Sequence, residues 1–179
     1  MSGRRGSARV SATKAVPEPL AGPDQLKVHS WYLLNRAAQW LREAVEAALL
    51  PLGLRRRHYA ALAVIDAEGP LTQRELSDRI PIDRVAMVSV INDLEAAALA
   101  ERQPCPGDRR AHALSLTLKG DEVLRKARAA VDAADAAGLA PLSADERSQL
   151  DSLARRLCGW EAPEAAAAPR PHPAARRVA

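Results

Sequence analysis

Between Leu26 and Leu50, apolar residues at Leu33, Leu34, Ala37, Leu41, Ala44, Val45, Ala48 and Leu49 recur at helical spacing. Pro51 and Gly53 stop the helix they predict. A second helix runs from Arg57 to Ala67, with Leu62 and Ile65 on its buried face, and ends at "EGP", residues 68–70. In "LTQRELSDRI", Thr72 and Glu75 make a capping box and Leu71 and Leu76 take the hydrophobic-staple positions, so a third helix starts there. "PIDRVAMVSVINDLEAAAL" repeats the device, with Asp83 as cap and Ile82 and Met87 as staple. Met87, Val90, Ile91 and Leu94 then form the inward stripe of a fourth helix.

The period changes in "PCPGDRRAHALSLTLKG", residues 104–120. Pro106, Gly107 and Asp108 build a tight turn, since proline presets φ and glycine tolerates positive φ. Beyond it His112, Leu114, Leu116 and Leu118 alternate with Ala111, Ala113, Ser115 and Thr117, the period of a half-buried strand. Leu99 to Gln103 supplies the partner strand. Helical spacing resumes from Gly120 to Ala137, at Val123, Leu124, Ala127, Ala130, Val131 and Ala134. Ser143 with Glu146 opens a last helix, with Leu150, Leu153 and Leu157 inward.

Two short helices around "IPID", followed at once by a hairpin, make a helix-turn-helix with a wing. The fold class is therefore mainly α with a small β-hairpin wing (α+β). A winged helix-turn-helix core over 55–120 lies between N- and C-terminal helices, 26–50 and 120–158. The Ala-rich stripes of those flanking helices exceed what so small a core can bury, which predicts a homodimer.

The chain has 179 residues, no Phe and few aromatics, so its core rests on Leu, Ala and Val, a composition that favours helices. No stretch approaches the roughly 20 apolar residues of a membrane span. "MSGRRGSARVSATKAV" is basic without a following apolar region, so no signal peptide and a cytoplasmic location are expected. Cys105 and Cys158 make no disulfide framework. The formal net charge is +4, yet residues 25–160 hold nineteen basic and eighteen acidic residues, so the excess comes largely from the ends. Bulk charge is weak evidence for nucleic acid, and the placement of the arginines must decide. Residues 1–24 and the Ala/Pro-rich 161–179 read as disordered tails around a domain at 25–160.

"PLTQRELSDRIPIDRVAMVSVINDLEAAALAERQPCPGDRRAHALSLTLKG" resembles the DNA-binding core of the MarR family of bacterial transcriptional regulators. The resemblance runs from Trp31 to Leu157. Its most specific pieces are Asp108, Arg110, Leu116, Thr117 and Gly120, in an Asp-x-Arg, strand, "LT..G" pattern, and the run Asp93–Leu99 before it. The resemblance implies a homodimer on a pseudo-palindromic double-stranded DNA operator, a repressor released by a small ligand or by oxidation. Such a protein is nucleoid-associated when bound. Ala98 departs from the pattern, which often has glycine there.

The fourth helix turns Arg84, Val85, Ala86, Val88, Ser89 and Asn92 away from its inward stripe. Arg84, Ser89 and Asn92 can hydrogen-bond a base edge or phosphate, while Val85, Ala86 and Val88 can meet a thymine methyl. The valines can instead pack against the neighbouring helix. Thr72 and Gln73, at the start of the third helix, are further candidate DNA contacts. On the wing, Arg109 and Arg110 suit a narrow minor groove, where negative potential is concentrated. Asp108, as the resemblance implies, pairs with a nearby arginine to fix the tip. An ordinary solvated turn is the other reading of this trio.

His29, Trp31, Tyr32, Arg36 and Trp40 gather on the first helix, and Arg55, Arg56, Arg57 and His58 open the second. An aromatic wall with arginine suits a small aromatic or phenolic anion. In proteins the chain resembles, the cleft between these helices and the winged lobe holds such ligands. His29, Trp31, Arg36, Arg57 and His58 are the candidate effector residues. The alternative packs the aromatics into the dimer interface and leaves the arginines solvated or on phosphate. His29, His58, His112 and His172 lack zinc spacing, so neither metal nor other cofactor is expected. Cys105, near Arg109 and Arg110, would favour thiolate, with an incidental cysteine as the other reading. No phosphate loop, nucleophile elbow or His–carboxylate motif supports catalysis. Two function classes remain: a ligand-responsive transcriptional regulator, and a winged-helix protein–protein module that reads no operator.

Overall fold

In the computed structural model, the hydrophobic periods fold as α1 (Ser30–Leu49), a 3-10 turn (Leu50–Leu52), α2 (Arg56–Glu68), β1 (Leu71–Thr72) and α3 (Gln73–Arg79). α4 (Arg84–Ala96), β2 (Ala100–Cys105), β3 (Asp108–Leu116), α5 (Leu118–Gly138) and α6 (Ala144–Leu157) follow. The structure describes residues 23–105 and 108–160, without the side chains of residues 105 and 108–111. The expectations for the Pro106–Gly107 turn, for the side chains of Cys105, Asp108, Arg109 and Arg110, and for residues 1–22 and 161–179 lie outside the described residues. Packing groups the chain up to Ala140 into one unit and the chain from Pro141 onward into a second.

α1 starts four residues later than its apolar pattern suggests. Residues after Pro23 turn instead, with the Leu26 and Lys27 amides donating to the carbonyls of Pro23 and Asp24, and His29 takes an extended backbone before Ser30. At the other end Gly53 adopts φ 70°, a left-handed conformation that ends the helix. α5 packs along α1: a Cβ on Gly138 would meet Leu41 Cδ2 at 2.5 Å and Trp40 Cζ3 at 2.6 Å. Trp40 is thus a packing residue between helices.

The predicted caps form. The Thr72 hydroxyl accepts the Glu75 amide hydrogen while the Glu75 carboxylate accepts the Thr72 amide hydrogen at 2.8 Å. Asp83 accepts from the Ala86 amide at 2.8 Å. Leu62, Leu76, Met87, Ile91, Leu94, Leu114 and Leu124 are buried together in one core. Exposed ion pairs bridge its elements: Arg79 to Glu68 (α3 to α2), Arg102 to Glu95 (β2 to α4) and Arg128 to Asp66 (α5 to α2). Such pairs contribute little each, about 0–1 kcal/mol, so the apolar core holds the unit.

The hairpin is part of a three-stranded antiparallel sheet of order β1-β3-β2, where the sequence predicts two strands. Leu71 and Thr72 pair with Leu114 and Ala113, adding a strand too short to show a period. Pro104 sits on the edge strand β2, where a missing N–H is tolerated, and the β2–β3 register is irregular between Pro104 and Cys105. The expected alternation of β3 is only partly met. Ala113 and Leu114 are both buried, the former because β1 covers that end of the sheet, and His112 is exposed. Leu118 is no strand residue at all; it opens α5 and is 91% exposed, because Thr117 caps that helix by accepting from the Gly120 amide.

In the second unit, the Ser143 hydroxyl accepts the Glu146 amide hydrogen and the Glu146 carboxylate accepts that of Ser143. Leu150, Leu153 and Leu157 are exposed on α6 in the single chain, in contrast to their expected inward placement.

Candidate nucleic-acid interface

α4 has two opposed faces. Met87, Val90, Ile91 and Leu94 are buried, and the stripe two residues out of phase, Val85, Val88, Ser89 and Asn92, is exposed along with Arg84. Val85 is 81% exposed and Val88 40%, so the neighbouring helix does not cover them. Ala86 is half-buried. Among the described residues Arg84 has no ion-pair or hydrogen-bond partner. The acids of α4 and its cap are engaged: Asp83 by the Ala86 amide, Asp93 by His58, Glu95 by Arg102. Among the described residues, the outward face therefore combines an unpaired cation, two polar side chains and two valines.

Thr72 and Gln73 stand at the start of α3, both half-buried. The Thr72 hydroxyl also donates to Glu75 at 2.7 Å, so it serves the cap. That bond is the first cause holding the Glu75 carboxyl below its ordinary value, the Thr72 amide being the second. Arg74, which the sequence pattern does not single out, is exposed beside Gln73. The backbone places Asp108, Arg109 and Arg110 at the turn end of β3, away from the end that leads into α5.

The five candidate effector residues do not share one environment. His29 is an exposed cap position that makes no side-chain capping bond. Trp31 is exposed, edge-on to Tyr32 at 5.7 Å between ring centroids. Arg36 donates to Gln39 at 3.1 Å, and Arg57 is exposed. His58 is buried and fully used: Nδ1 accepts the Arg55 amide hydrogen at 3.2 Å, and Nε2 faces Asp93 Oδ2 at 3.2 Å. Since Nδ1 accepts, the ring proton sits on Nε2 and points at Asp93. His58 thus ties the start of α2 to α4.

A shallow depression of about 260 Å³ opens between α1 and α2, lined by Gln39, Arg42, Glu43, Glu46 and Arg56, none of them among those five. Glu46 organises it, accepting the Arg56 amide hydrogen at 3.0 Å and facing Arg55 Nη1 at 3.4 Å. Neither this network nor the His58–Asp93 pair has a local sequence signal, because the partners lie nine or more residues apart. Tyr59, beside them on α2, has its hydroxyl pKa raised, chiefly by burial, with Arg128 opposing and Asp132 and Asp135 adding to it.

Among the described residues no helix is long and apolar enough to cross a membrane. A family model described as MarR family matches residues 52–111, from the end of the 3-10 turn after α1 through most of the hairpin. The HTH-type transcriptional repressor Rv2887 of Mycobacterium tuberculosis is 32% identical over 126 residues, covering 70% of this chain and 91% of that protein. A crystal structure of Rv2887 in complex with DNA matches with a TM-score of 0.64 at 31% identity, over 72% of this chain and 97% of that one. Another, in complex with salicylic acid, matches with a TM-score of 0.62 at 32% identity, over 72% of this chain and 96% of that one. With a third of the aligned positions identical along most of both proteins, the chain belongs to the MarR family.

Proposed function

We propose that the chain is a homodimeric transcriptional regulator of the repressor type, which holds a pseudo-palindromic operator in double-stranded DNA and releases it when a small aromatic or phenolic anion binds. The observation that carries this reading is the outward face of α4, where Arg84, Val85, Val88, Ser89 and Asn92 stand exposed on the second helix of a helix-turn-helix. The Rv2887 complexes with DNA and with salicylic acid support both halves of it. Arg84, Ser89 and Asn92 reach base edges, and Thr72 and Gln73, at the start of α3, approach the phosphate backbone. Arg109 and Arg110 take the minor groove with Asp108 fixing the tip. His29, Trp31, Arg36 and Arg57 meet the effector, while His58 positions α4. The winged core at 55–120 works between pairing helices 26–50 and 120–158, in the cytoplasm and without a catalytic step.

The test is binding to the chain's own upstream DNA over a range of salt, with and without salicylate. Each phosphate contact contributes about 0.9 to the slope of log affinity against log salt, so several contacts give a steep fall. A steep slope and release by salicylate support the proposal. Flat binding refutes it in favour of a protein-interaction module, the reading for which the exposed valines of α4 also speak.

A further inference from the structure

We infer that Val85 and Val88 read thymine methyl groups on neighbouring base pairs of each operator half-site, an inference that rests on the regulator reading above. Folding gives little reason for Val85, and it leaves Val88 40% exposed. Both lie on the outward stripe of α4, opposite the four residues that fill the core. Valine is a weaker helix former than alanine, and a side chain left 81% exposed recovers little by packing. A solvent-facing helix position with an apolar, β-branched side chain therefore points to an apolar surface elsewhere.

The surroundings say which surface. Arg84 precedes Val85 without a partner among the described residues, while Asp93 and Glu95 of the same helix are bound to His58 and Arg102. A face whose cation has no partner among the described residues, on a helix whose acids are engaged by His58 and Arg102, suits a polyanion. In the major groove, the one apolar group that a base edge displays is the C5-methyl of thymine, and apolar side chains are what contact it. Val85 and Val88 are separated by about 4.5 Å along the helix axis, against about 3.4 Å between base pairs, so they meet adjacent pairs. Asn92, one turn beyond Val88, is placed for the N6 and N7 of an adenine further along.

Deoxyuridine isolates the proposed contact, because it lacks the methyl but keeps the pairing edge and the phosphate charge. Duplexes bound by the full chain are first enriched from a random-sequence pool. The best duplex is then remade with deoxyuridine replacing one thymine at a time. Two positions on neighbouring pairs in each half-site are expected to lose about fourfold in affinity each, the worth of one buried methyl group. Val85→Ala and Val88→Ala should each bind more weakly, melt as the parent does, and become indifferent to deoxyuridine at one of the two positions. Steep salt-dependent binding with indifference to every deoxyuridine would overturn the inference and leave the regulator reading standing. Failure to enrich any duplex would overturn both, and assign the valines to a protein partner.

Discussion

The Leu99 carbonyl runs so close to the Cα of Gly120 that a Cβ built there would overlap its oxygen and stand 2.9 Å from its carbon. Thr117 fixes this approach from the same side: its amide donates to Leu99 O at 3.2 Å and its hydroxyl to Ala98 O at 2.7 Å. The start of α5 is thereby fastened to the end of α4, which explains physically why a threonine and a glycine three residues apart follow β3. The obstacle is backbone on both sides, so it cannot be relieved by turning a rotamer. Gly120→Ala is expected to cost about 3 kcal/mol, the upper part of the overpacking range, measured as a shift in the denaturant midpoint. A variant as stable as the parent would show that the two segments can separate.

Ala98 follows α4 with φ 54°, in the left-handed region, while the Leu99 amide donates back to Leu94 O at 2.8 Å and the Ala98 amide to Glu95 O at 2.9 Å. α6 ends in the same pattern, with Trp160 and Gly159 bonded to Arg155 and Arg156, and there the left-handed position is glycine at φ 70°. Alanine holds this conformation at a cost of about 1–2 kcal/mol, part of which glycine gives back through its freer unfolded chain. Ala98→Gly should raise stability by about 0.5–1 kcal/mol, read as a higher melting temperature without loss of DNA binding. A lower melting temperature would contradict the conformational explanation.

The parts of the fold legible in the sequence are those whose partners sit within one helical turn. Thr72 with Glu75, and Ser143 with Glu146, announce their helices because a cap and its third residue are bonded to each other. β1 is illegible for the opposite reason: two residues carry no period, and their pairing to Leu114 and Ala113 is decided by where the chain returns. The candidate site divides in the same way. The outward face of α4 follows from its inward stripe, so Arg84, Ser89 and Asn92 could be named in advance. His58 could not be separated from the effector candidates, because its partner Asp93 is 35 residues away.

His58 and Asp93 supply a direct test of that assignment. His58→Ala leaves Asp93 unpaired and empties a buried position, while Asp93→Ala leaves only a ring nitrogen unpaired. Asp93 is about half exposed (49%), so water competes for the bond. A double-mutant cycle on unfolding is expected to give a coupling of about 0.5–1 kcal/mol. A coupling near zero, with salicylate response lost in His58→Ala, would return this residue to the effector site.

Acid should weaken the first turn of α3 selectively. The Glu75 carboxyl lies below its ordinary value of 4.5 because the Thr72 hydroxyl, and then the Thr72 amide, donate to its charged form. A carboxyl depressed in the folded state contributes stability that is full above the unfolded value and is lost as pH falls through the folded one. The stability difference between the parent and Glu75→Gln should therefore hold constant from about pH 7 to about pH 5 and shrink only as the pH falls further, toward about pH 3. A difference independent of pH would mean that the capping box works without its charge.

The exposed apolar residues of the flanking helices bear on the oligomer. Trp31, Leu33 and Leu34 on α1, and Leu150, Leu153 and Leu157 on α6, are 36–74% exposed in the single chain. α6 reads as amphipathic, with a firm capping box at its start and Arg155 and Arg156 in its last turn, so its helix is well specified while its apolar stripe has no cover of its own. Such a stripe is stable in water when a second chain covers it. Leu153→Arg with Leu157→Arg should leave the winged core folded, because neither residue belongs to the buried cluster that holds it. The same pair of charges should convert the dimer to monomer in sedimentation at micromolar concentration and weaken operator binding, since each half-site would then be held alone. Two outcomes would count against the pairing role: a parent chain that sediments as a folded monomer, or a double variant that remains a dimer with undiminished operator affinity.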